Sequence, residues 1–210
     1  MSILEIVERV ASKIAPGRTP FFTEAHVIKA LEEIEAQGQV GRIKLSKELG
    51  LGEGTTRTLV KHFKKENLII ISKSGIELSE HGKRLFSSLR AEMSREVEIP
   101  SSSLTVGAFN VAVLVRNVGS AVKFGLEQRD TAIAIGAHGA TTLIFSKNRL
   151  TMPGVTEDVF KDVPAIRDTL LSKLQPKEND VIIIGSAEDR RLAEFGAKMA
   201  AFELLKSRGR

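Results

Sequence analysis

The chain has 210 residues, of which 42% are hydrophobic and 27% are charged, and its formal net charge is +5. This length suits two domains of ordinary size, and the composition is that of a globular protein. The absence of cysteine excludes disulfides, thiol nucleophiles and cysteine-bound zinc. No apolar run reaches the roughly 18 residues of a membrane-spanning helix, and no signal pattern opens the chain, so we expect a cytoplasmic protein.

Two helices are predicted in the first 40 residues. Residues 2–14 carry apolar side chains at helical spacing, with Ser2 as the N-cap. The prolines and glycine of residues 16–20 break this helix, and Thr23 then caps a longer one that reaches about Ala36. We expect these helices to support the elements that follow.

Residues 41–79 predict a helix, a tight turn, a second helix and a hairpin. The first helix covers about residues 44–49 and is stopped by Gly50, because the glycine-rich turn after it cannot stay helical. The second helix covers about residues 55–66. Two β-branched, strand-like segments then flank a turn at residues 73–75.

The second of these helices has one apolar face and one basic face when its residues are placed about 100° apart. The face predicted to cover a core carries Thr56, Leu59, Val60 and Phe63. The opposite face has no carboxylate before Glu66. This face carries Arg57, Thr58, Lys61 and Lys65, with Thr55, His62 and Lys64 on its flanks.

The positive charge of the chain is concentrated in this region. Residues 40–75 contain eight lysines and arginines against three glutamates, an excess equal to the net charge of the whole chain. A polyanion is therefore the expected partner of this segment. Phenylalanine is the only aromatic residue type, which favours double-stranded over single-stranded nucleic acid, because single strands are usually bound by stacking.

The segments LSKELGLGEGTTRTLVKHF and NLIIISKSGIELSEHGKRL resemble the winged helix-turn-helix of bacterial and archaeal transcription regulators. In that family the second helix enters the major groove of DNA and the hairpin tip lies along the phosphates. The resemblance implies that Arg57, Thr58 and Lys61 reach base edges, while other residues contact phosphates. The predicted DNA-binding set is Lys44, Ser46, Lys47, Thr55, Arg57, Thr58, Lys61, His62, Lys65, Lys73 and Ser74.

A helix is predicted at residues 79–95, with Leu85, Phe86, Leu89 and Met93 as its apolar positions. It either pairs with its twin across a dimer or packs on its own domain. Residues 96–103 have no helical period and contain Pro100 and three serines, so we predict a linker there. The predicted domains are residues 1–95, which bind DNA, and residues 104–210, which bind an effector or mediate dimerisation.

The second domain is predicted to alternate strands and helices. The expected strands are residues 104–115, 131–135, 141–145 and 180–184, with a short edge strand at 148–152, and the expected helices are residues 119–128, 162–174 and 187–206. This order, together with a glycine turn at residues 136–139, favours a ferredoxin-like α/β sandwich within an α+β protein. A small doubly wound sheet is the alternative.

The sequence shows no recognisable catalytic constellation. The four histidines are not at metal-ligand spacing, and no nucleophile elbow, P-loop or dinucleotide fingerprint is present. We expect no enzyme, metal or cofactor. A small anionic ligand could bind where strands end and helices begin. Two places are candidates, and whether they share one pocket depends on the strand order: Arg116, Asn117 and Gly119 with Arg129, and Gly185 with Ser186, while His138 and Thr141 could join either. Caps and turns are the alternative explanation.

The order of elements along the chain is also similar to a family of archaeal two-domain winged-helix proteins whose second domain has no assigned role. The residues VLVRNVGSAVKFGLEQRDTAIAIGAHGATTLIF carry this similarity. We therefore expect a homodimeric DNA-binding regulator, with a C-terminal domain that senses a small anionic effector or mediates dimerisation. Two alternatives remain: a winged-helix module that binds proteins, and an enzyme acting on an acidic or phosphorylated metabolite.

Overall fold

The computed structural model describes residues 2–12 and 21–208, which belong to two compact units, Met1–Leu89 and Arg90–Arg210. The predicted helix break at residues 16–20 lies outside the described residues, as does the predicted end of the first helix at Ile14. The α+β class predicted from the sequence is confirmed, with a helical first unit and a sheet in the second.

The first unit consists of short helices followed by a two-stranded hairpin. Its elements are α1 (Ile3–Ala11), α2 (Glu24–Gln37), α3 (Arg42–Leu49), α4 (Glu53–Lys65), β1 (Ile69–Ile71) and β2 (Ile76–Leu78). Helix α5 (Glu80–Glu92) follows and crosses the division between the units. Element order and type agree with the prediction from residue periodicity.

The caps of α1 and α2 lie where the sequence predicted them. The Ser2 hydroxyl accepts a hydrogen bond from the Glu5 amide, and the Glu5 carboxylate accepts one from the Ser2 amide. Helix α2 begins directly after Thr23, whose amide donates to His26 Nδ1. These bonds satisfy amides that have no partner within the helix. Helix α1 contacts α2 and α4, and α2 contacts α3.

The first unit has an apolar core to which each of α1 to α4 contributes. Buried side chains from these helices include Val7, Val10, Ile28, Leu31, Ile34, Leu45, Leu49, Leu59 and Phe63. The hairpin β1–β2 is joined to this core by Val40, which forms an isolated antiparallel bridge with Ile76. Burying these side chains stabilises the position of α4 relative to its neighbours.

The apolar residues of α5 are buried within the single chain. Leu85, Phe86, Leu89 and the following Met93 have little exposed surface. The residues that α5 exposes are polar or small, including Glu80, Lys83 and Arg84. Of the two alternatives for this helix, packing within its own chain therefore accounts for its apolar face.

Within the described residues, the second unit contains a five-stranded sheet, three α-helices and a short 3-10 helix (Gly119–Ala121). Its elements are β3 (Val97–Ile99), β4 (Phe109–Val115), α6 (Leu126–Ala134), β5 (Gly139–Ser146), β6 (Arg149–Thr151), α7 (Pro164–Leu174), β7 (Val181–Ala187) and α8 (Arg190–Ser207). The strand order is β3-β4-β7-β5-β6, and every neighbouring pair is antiparallel.

Three predictions for this part of the chain are wrong. The helix predicted at residues 119–128 is not continuous, because residues 119–121 form a short 3-10 helix and α6 begins only at Leu126. Residues 97–99 form an edge strand that pairs with β4, so residues 96–103 are not simply a linker. Residues 131–135 are not a strand, because most of them form the second half of α6. The alternating alanines of this segment fit a helix as well as a strand, and periodicity cannot separate the two in so short a run.

The sheet contains a hairpin, but it is not at residues 136–139, where the glycines led us to expect one. Gly136, with φ 97°, follows the C-cap of α6. The hairpin is β5–β6, whose turn residues Lys147 and Asn148 have φ of 49° and 61°. Two consecutive positive φ values are the geometry of the two-residue turns that suit twisted hairpins.

The ferredoxin-like arrangement is not observed, because helices cover both faces of the sheet. Ala112, Leu114, Ile182 and Ile184 pack with α7 in one apolar cluster. On the other face, Val111 and Ala187 pack with Ala132 of α6 and Ala193 of α8. Successive strand residues point to opposite faces, so β4 and β7 are buried on both sides. The antiparallel pairing equally excludes a doubly wound parallel sheet.

Candidate nucleic-acid interface

The turn between α3 and α4 is built on glycines, as the sequence predicted. Gly50 adopts a left-handed conformation at the end of α3, with φ 64°. Its amide and that of Leu51 donate to carbonyl groups of the last turn of α3. Gly52 is the N-cap of α4, which begins at Glu53, two residues earlier than expected. The left-handed conformation favours glycine because a side chain there is strained.

The two faces of α4 are divided as predicted. Thr56, Leu59, Val60 and Phe63 are buried against the unit. The outward face is exposed and carries Arg57, Thr58, Lys61, Lys64 and Lys65. None of these cations forms an ion pair within the described part of the chain. The result is a basic surface between Arg57 and Lys65 on the outward face of α4.

Two residues of the predicted DNA-binding set lie inside the unit instead. His62 is only 6% exposed, and its Nδ1 donates to the carbonyl oxygen of Val10 at 2.7 Å. Its ring also packs edge-on against Phe22, with 5.6 Å between the centroids. Ser46 of α3 is buried as well. Both predictions are corrected by this burial, and for His62 the cover comes from Val10 of α1 and from Phe22, which precedes α2.

The hairpin places its polar residues at an exposed tip. The Ser72 amide donates to the Gly75 carbonyl at 2.9 Å, and the Ser74 amide donates to the Ser72 hydroxyl at 3.2 Å. Lys73 lies at the tip and is exposed, as is Ser74, although the hydroxyls of Ser72 and Ser74 also bond each other. Gly75 has φ 145° and packs closely against the backbone of Val40.

The remaining predicted residues of α3 and α4 are distributed around the same surface. Lys44 and Lys47 are exposed on α3, and Thr55 is half-buried at the start of α4. Arg42, at the first position of α3, is also exposed but was not in the predicted set. Arg42 was counted among the basic residues of this segment. It could not be assigned to a helix face, because the sequence predicted that α3 begins only at about residue 44.

A concave region of about 490 Å³ lies beside the C-terminal end of α4 and was not predicted. Arg9 of α1 forms an ion pair with Glu66 there, with 2.6 Å between Nη2 and Oε2. Lys65, Asn67 and His81 complete the lining together with Ile6. Because Arg9 and Glu66 are 57 positions apart, no local sequence pattern predicts their contact.

The eight residues predicted to bind a ligand separate into two groups at opposite ends of the sheet. Strand β4 runs from Phe109 to Val115 and β7 runs antiparallel to it, so Val115 pairs with Val181 and Phe109 with Ala187. Arg116, Asn117 and Gly119 therefore lie at one end, and Gly185 and Ser186 near the other. They do not form one site.

The group that follows β4 is held by internal hydrogen bonds. Arg116 Nη1 lies 2.6 Å from Asp180 Oδ2, and the Asn117 amide donates to the other oxygen of the same carboxylate. The Gly119 amide donates to the Asn179 carbonyl, and Asn179 Nδ2 donates to Asn117 Oδ1 at 2.6 Å. These contacts fasten the loop after β4 to the start of β7 and support the turn explanation.

The second group is also bonded within the unit. The Ser186 hydroxyl accepts from the Val106 amide, and the Thr141 hydroxyl donates to the Leu104 carbonyl. Near them, His138 Nδ1 lies 3.3 Å from the Val106 carbonyl oxygen. These contacts attach residues 104–106, which precede β4, to strands β5 and β7.

The surroundings of Gly185 and Arg129 also favour structural roles. Gly185 is covered by α8, whose backbone a Cβ at that position would meet at 2.2 Å. Arg129 is exposed on α6 and pairs with the adjacent Asp130.

A cavity of about 330 Å³ lies elsewhere in the second unit, beside the ends of β3 and β4. Ile99, Pro100 and Phe109 are among the residues that give it an apolar lining. At its edge Arg190 pairs with Glu98 and with Glu194, and the pKa of Arg190 is raised, chiefly by its hydrogen bond to Glu98. The charged groups at the edge of this cavity are therefore already paired with each other.

Comparison with protein families gives the first unit a known relative. Residues 26–93 match the family model of the CggR N-terminal DNA binding domain. The matched region contains α3, the glycine turn, α4 and the hairpin. This match confirms the resemblance to a winged-helix regulator. That family is described as a DNA binding domain.

The second unit matches a family whose function is not assigned. Residues 106–204 match a domain of unknown function, DUF4443. Among solved structures, hypothetical protein PH0730 from Pyrococcus horikoshii OT3 is similar, with a TM-score of 0.67 and 24% identity. The alignment covers 85% of this chain and 92% of that one. This similarity concerns the fold, and it agrees with the predicted pairing of two domains.

No curated protein matches the chain. Within the described residues, none of the helices combines the length and the apolar character that crossing a membrane requires.

Proposed function

We propose that this chain is a transcription regulator that binds double-stranded DNA sequence-specifically by placing α4 in the major groove. The observation that supports this most directly is the outward face of α4, where Arg57, Lys61 and Lys65 are exposed without ion-pair partners among the described residues. The match of residues 26–93 to a DNA-binding domain supports the same conclusion. A helix of this kind fits the major groove, where each base pair presents a distinct pattern of hydrogen-bonding groups.

The exposed residues divide by position into two kinds of contact. Arg57, Thr58 and Lys61 lie on the outward face of α4 and are proposed to contact base edges. Phosphate contacts fix the register of a protein on DNA without reading its sequence. The residues proposed for phosphate contacts are Lys44 and Lys47 of α3, Thr55 and Lys65 of α4, and Lys73 and Ser74 of the hairpin.

The test is selection of bound duplexes from a random pool by the full chain, followed by measurement of affinity for a selected and a scrambled duplex. A sequence-specific regulator should prefer the selected duplex by about 10³-fold or more at physiological salt. Enrichment of no sequence, with equal weak binding to both duplexes, would contradict the proposal. No binding to any duplex at low salt would favour the alternative of a protein-interaction module.

For the second unit we propose a role in joining two copies of the regulator. The predicted ligand residues Arg116, Asn117, Gly119, Thr141 and Ser186 are engaged in hydrogen bonds within the unit. Such contacts support a structural role for these residues. Dimerisation would place two copies of α4 on one duplex, which increases affinity through effective concentration.

A further inference from the structure

The cavity beside the ends of β3 and β4 has mainly apolar walls. Its volume is about 330 Å³, and Ile99, Pro100 and Phe109 contribute to its lining. Phe109 is 47% exposed, although phenylalanine is among the residues that are most often buried. Small-molecule sites begin at about this volume, and they are mostly apolar with a small number of polar groups. The cavity is therefore large enough for a small apolar molecule.

Hydrogen bonds hold the loop that joins β3 to β4, which contributes Pro100 and Ala108 to the lining. The Ser101 hydroxyl donates towards the carbonyl oxygens of Gly107 and Ala108, each at 3.2 Å. Asn110 Nδ2 donates to the Gly107 carbonyl oxygen at 3.1 Å and to Ser101 Oγ at 3.3 Å. Because these bonds fix the loop, the cavity is formed before any ligand binds, as in most small-molecule sites.

A buried oxygen of a residue that lines this cavity lacks a partner. Asn110 is only 3% exposed, and its Oδ1 has no hydrogen-bond partner among the described residues. The orientation of its amide group is fixed, because the Gly107 carbonyl can only accept a hydrogen bond and so requires Nδ2 beside it. A buried acceptor without a donor costs free energy, and a bound molecule with an N–H or O–H group would remove this cost.

The rim of the cavity disfavours an anionic ligand. The Arg190 guanidinium is shared by two carboxylates, Glu98 and Glu194. The Glu98 side chain is 66% exposed. A carboxylate or phosphate at the rim would therefore meet a like charge, while the cation beside it is already paired. An uncharged ligand meets no such repulsion.

We propose that this cavity binds a small uncharged molecule that has an apolar body and a hydrogen-bond donor. The apolar body contacts Ile99, Pro100 and Phe109, and the donor bonds to Asn110 Oδ1. This role goes beyond the proposed function, because it requires neither DNA nor a second copy of the chain. The ligand also differs in charge and in position from the anionic effector that the sequence predicted.

The first test is a titration of the full chain with indole, followed by two-dimensional NMR of the backbone amides. Indole has a flat apolar body and a single N–H donor. We expect saturable shifts at Ile99, Phe109 and Asn110, with a dissociation constant of about 1 mM for a molecule of this size. Benzofuran is the matched control, because an oxygen replaces the N–H group in a ring system of the same shape. It should bind about tenfold more weakly.

Indole-3-carboxylate tests the charge of the ligand, and it should bind more weakly than indole because it adds an anion beside Glu98. Shifts that do not saturate, or that do not include the cavity residues, would overturn the proposal. Benzofuran or indole-3-carboxylate binding as tightly as indole would overturn it as well.

Two variants test the residues that line the cavity. Phe109→Ala removes an exposed apolar wall and should raise the dissociation constant of indole by about fivefold or more. Val106→Ala is the matched control, because Val106 is 61% exposed and lies outside the lining. Equal effects of these two variants would place the bound indole elsewhere and overturn the proposal.

Asn110→Leu removes the acceptor, so indole and benzofuran should then bind with equal affinity. A tenfold preference for indole that persists in this variant would refute the role of Asn110. Thermal melting followed by circular dichroism checks that each variant is folded, and Phe109→Ala decides the question if Asn110→Leu does not fold. None of these titrations contains DNA, so their failure would leave the regulator proposal intact.

Discussion

Arg57 and Lys73 are both exposed cations of the first unit, but their positions imply different effects on DNA binding. Arg57 lies on the outward face of α4, and Lys73 lies at the hairpin tip. We expect Arg57→Ala to reduce the preference for a selected duplex by about 1 to 3 kcal/mol, because an arginine that bonds guanine discriminates between bases. Fluorescence anisotropy with selected and scrambled duplexes measures this difference.

Lys73→Ala should weaken binding to all duplexes alike. A lysine that neutralises one phosphate releases about one counterion, so its removal lowers the slope of log affinity against log salt by about one unit. Titrations at several salt concentrations give this slope for the wild-type chain and the variant. If Lys73→Ala altered sequence preference and Arg57→Ala altered only the slope, the proposed roles of the two residues would be reversed.

His62 is expected to affect stability and not DNA contact. His62→Leu removes the donor to the Val10 carbonyl and leaves that oxygen without its partner, which should lower the free energy of unfolding by about 1 to 3 kcal/mol. Urea unfolding followed by circular dichroism measures the change. Lys64→Ala is the control, since Lys64 is exposed on the same helix and should change stability by less than about 0.5 kcal/mol.

At the scale of elements, the contact of β7 with α8 depends on the absence of a side chain at Gly185. A Cβ there would lie 2.2 Å from the Ala193 carbonyl oxygen and 2.6 Å from the Ala197 amide nitrogen. Both are backbone atoms, so the helix must move away from the strand. We expect Gly185→Ala to lower the free energy of unfolding of the second unit by about 1 to 3 kcal/mol.

Gly54→Ala is the matched control for that substitution. Gly54 is in α4, and a Cβ added there meets nothing within 4 Å. Because alanine favours a helix, this change should leave stability unchanged or raise it by up to about 1 kcal/mol. Chemical unfolding of both variants tests the pair, and a destabilising Gly54→Ala together with a neutral Gly185→Ala would contradict the packing argument.

At the scale of the whole molecule, dimerisation predicts the symmetry of the DNA target. A two-fold dimer that presents two α4 helices should select duplexes with an inverted repeat. The chain should then bind the full repeat more tightly than a single half-site. Comparison of the two duplexes in the same binding assay measures this. Selection of a single asymmetric site by the wild-type chain would be evidence for binding as a monomer.

The elements of the first unit could be predicted from the sequence because their signals are local. The glycines after α3, the four-residue apolar spacing of α4 and the turn at Lys73 each act over a few residues. The exposed face of α4 follows from the same periodicity. The position of His62 does not, because its burial depends on Val10 and Phe22, which are about 50 and 40 residues away in sequence.

In the second unit, the sequence by itself determined that buried strands alternate with helices, since apolar runs such as residues 111–115 and 181–184 have no other stable location. Only the tertiary structure decided which strands pair, that residues 97–99 join the sheet, and that Arg116 and Ser186 lie at opposite ends. Strand pairing joins residues distant along the chain, and its choice depends on which helices cover each face of the sheet. No local pattern contains that information.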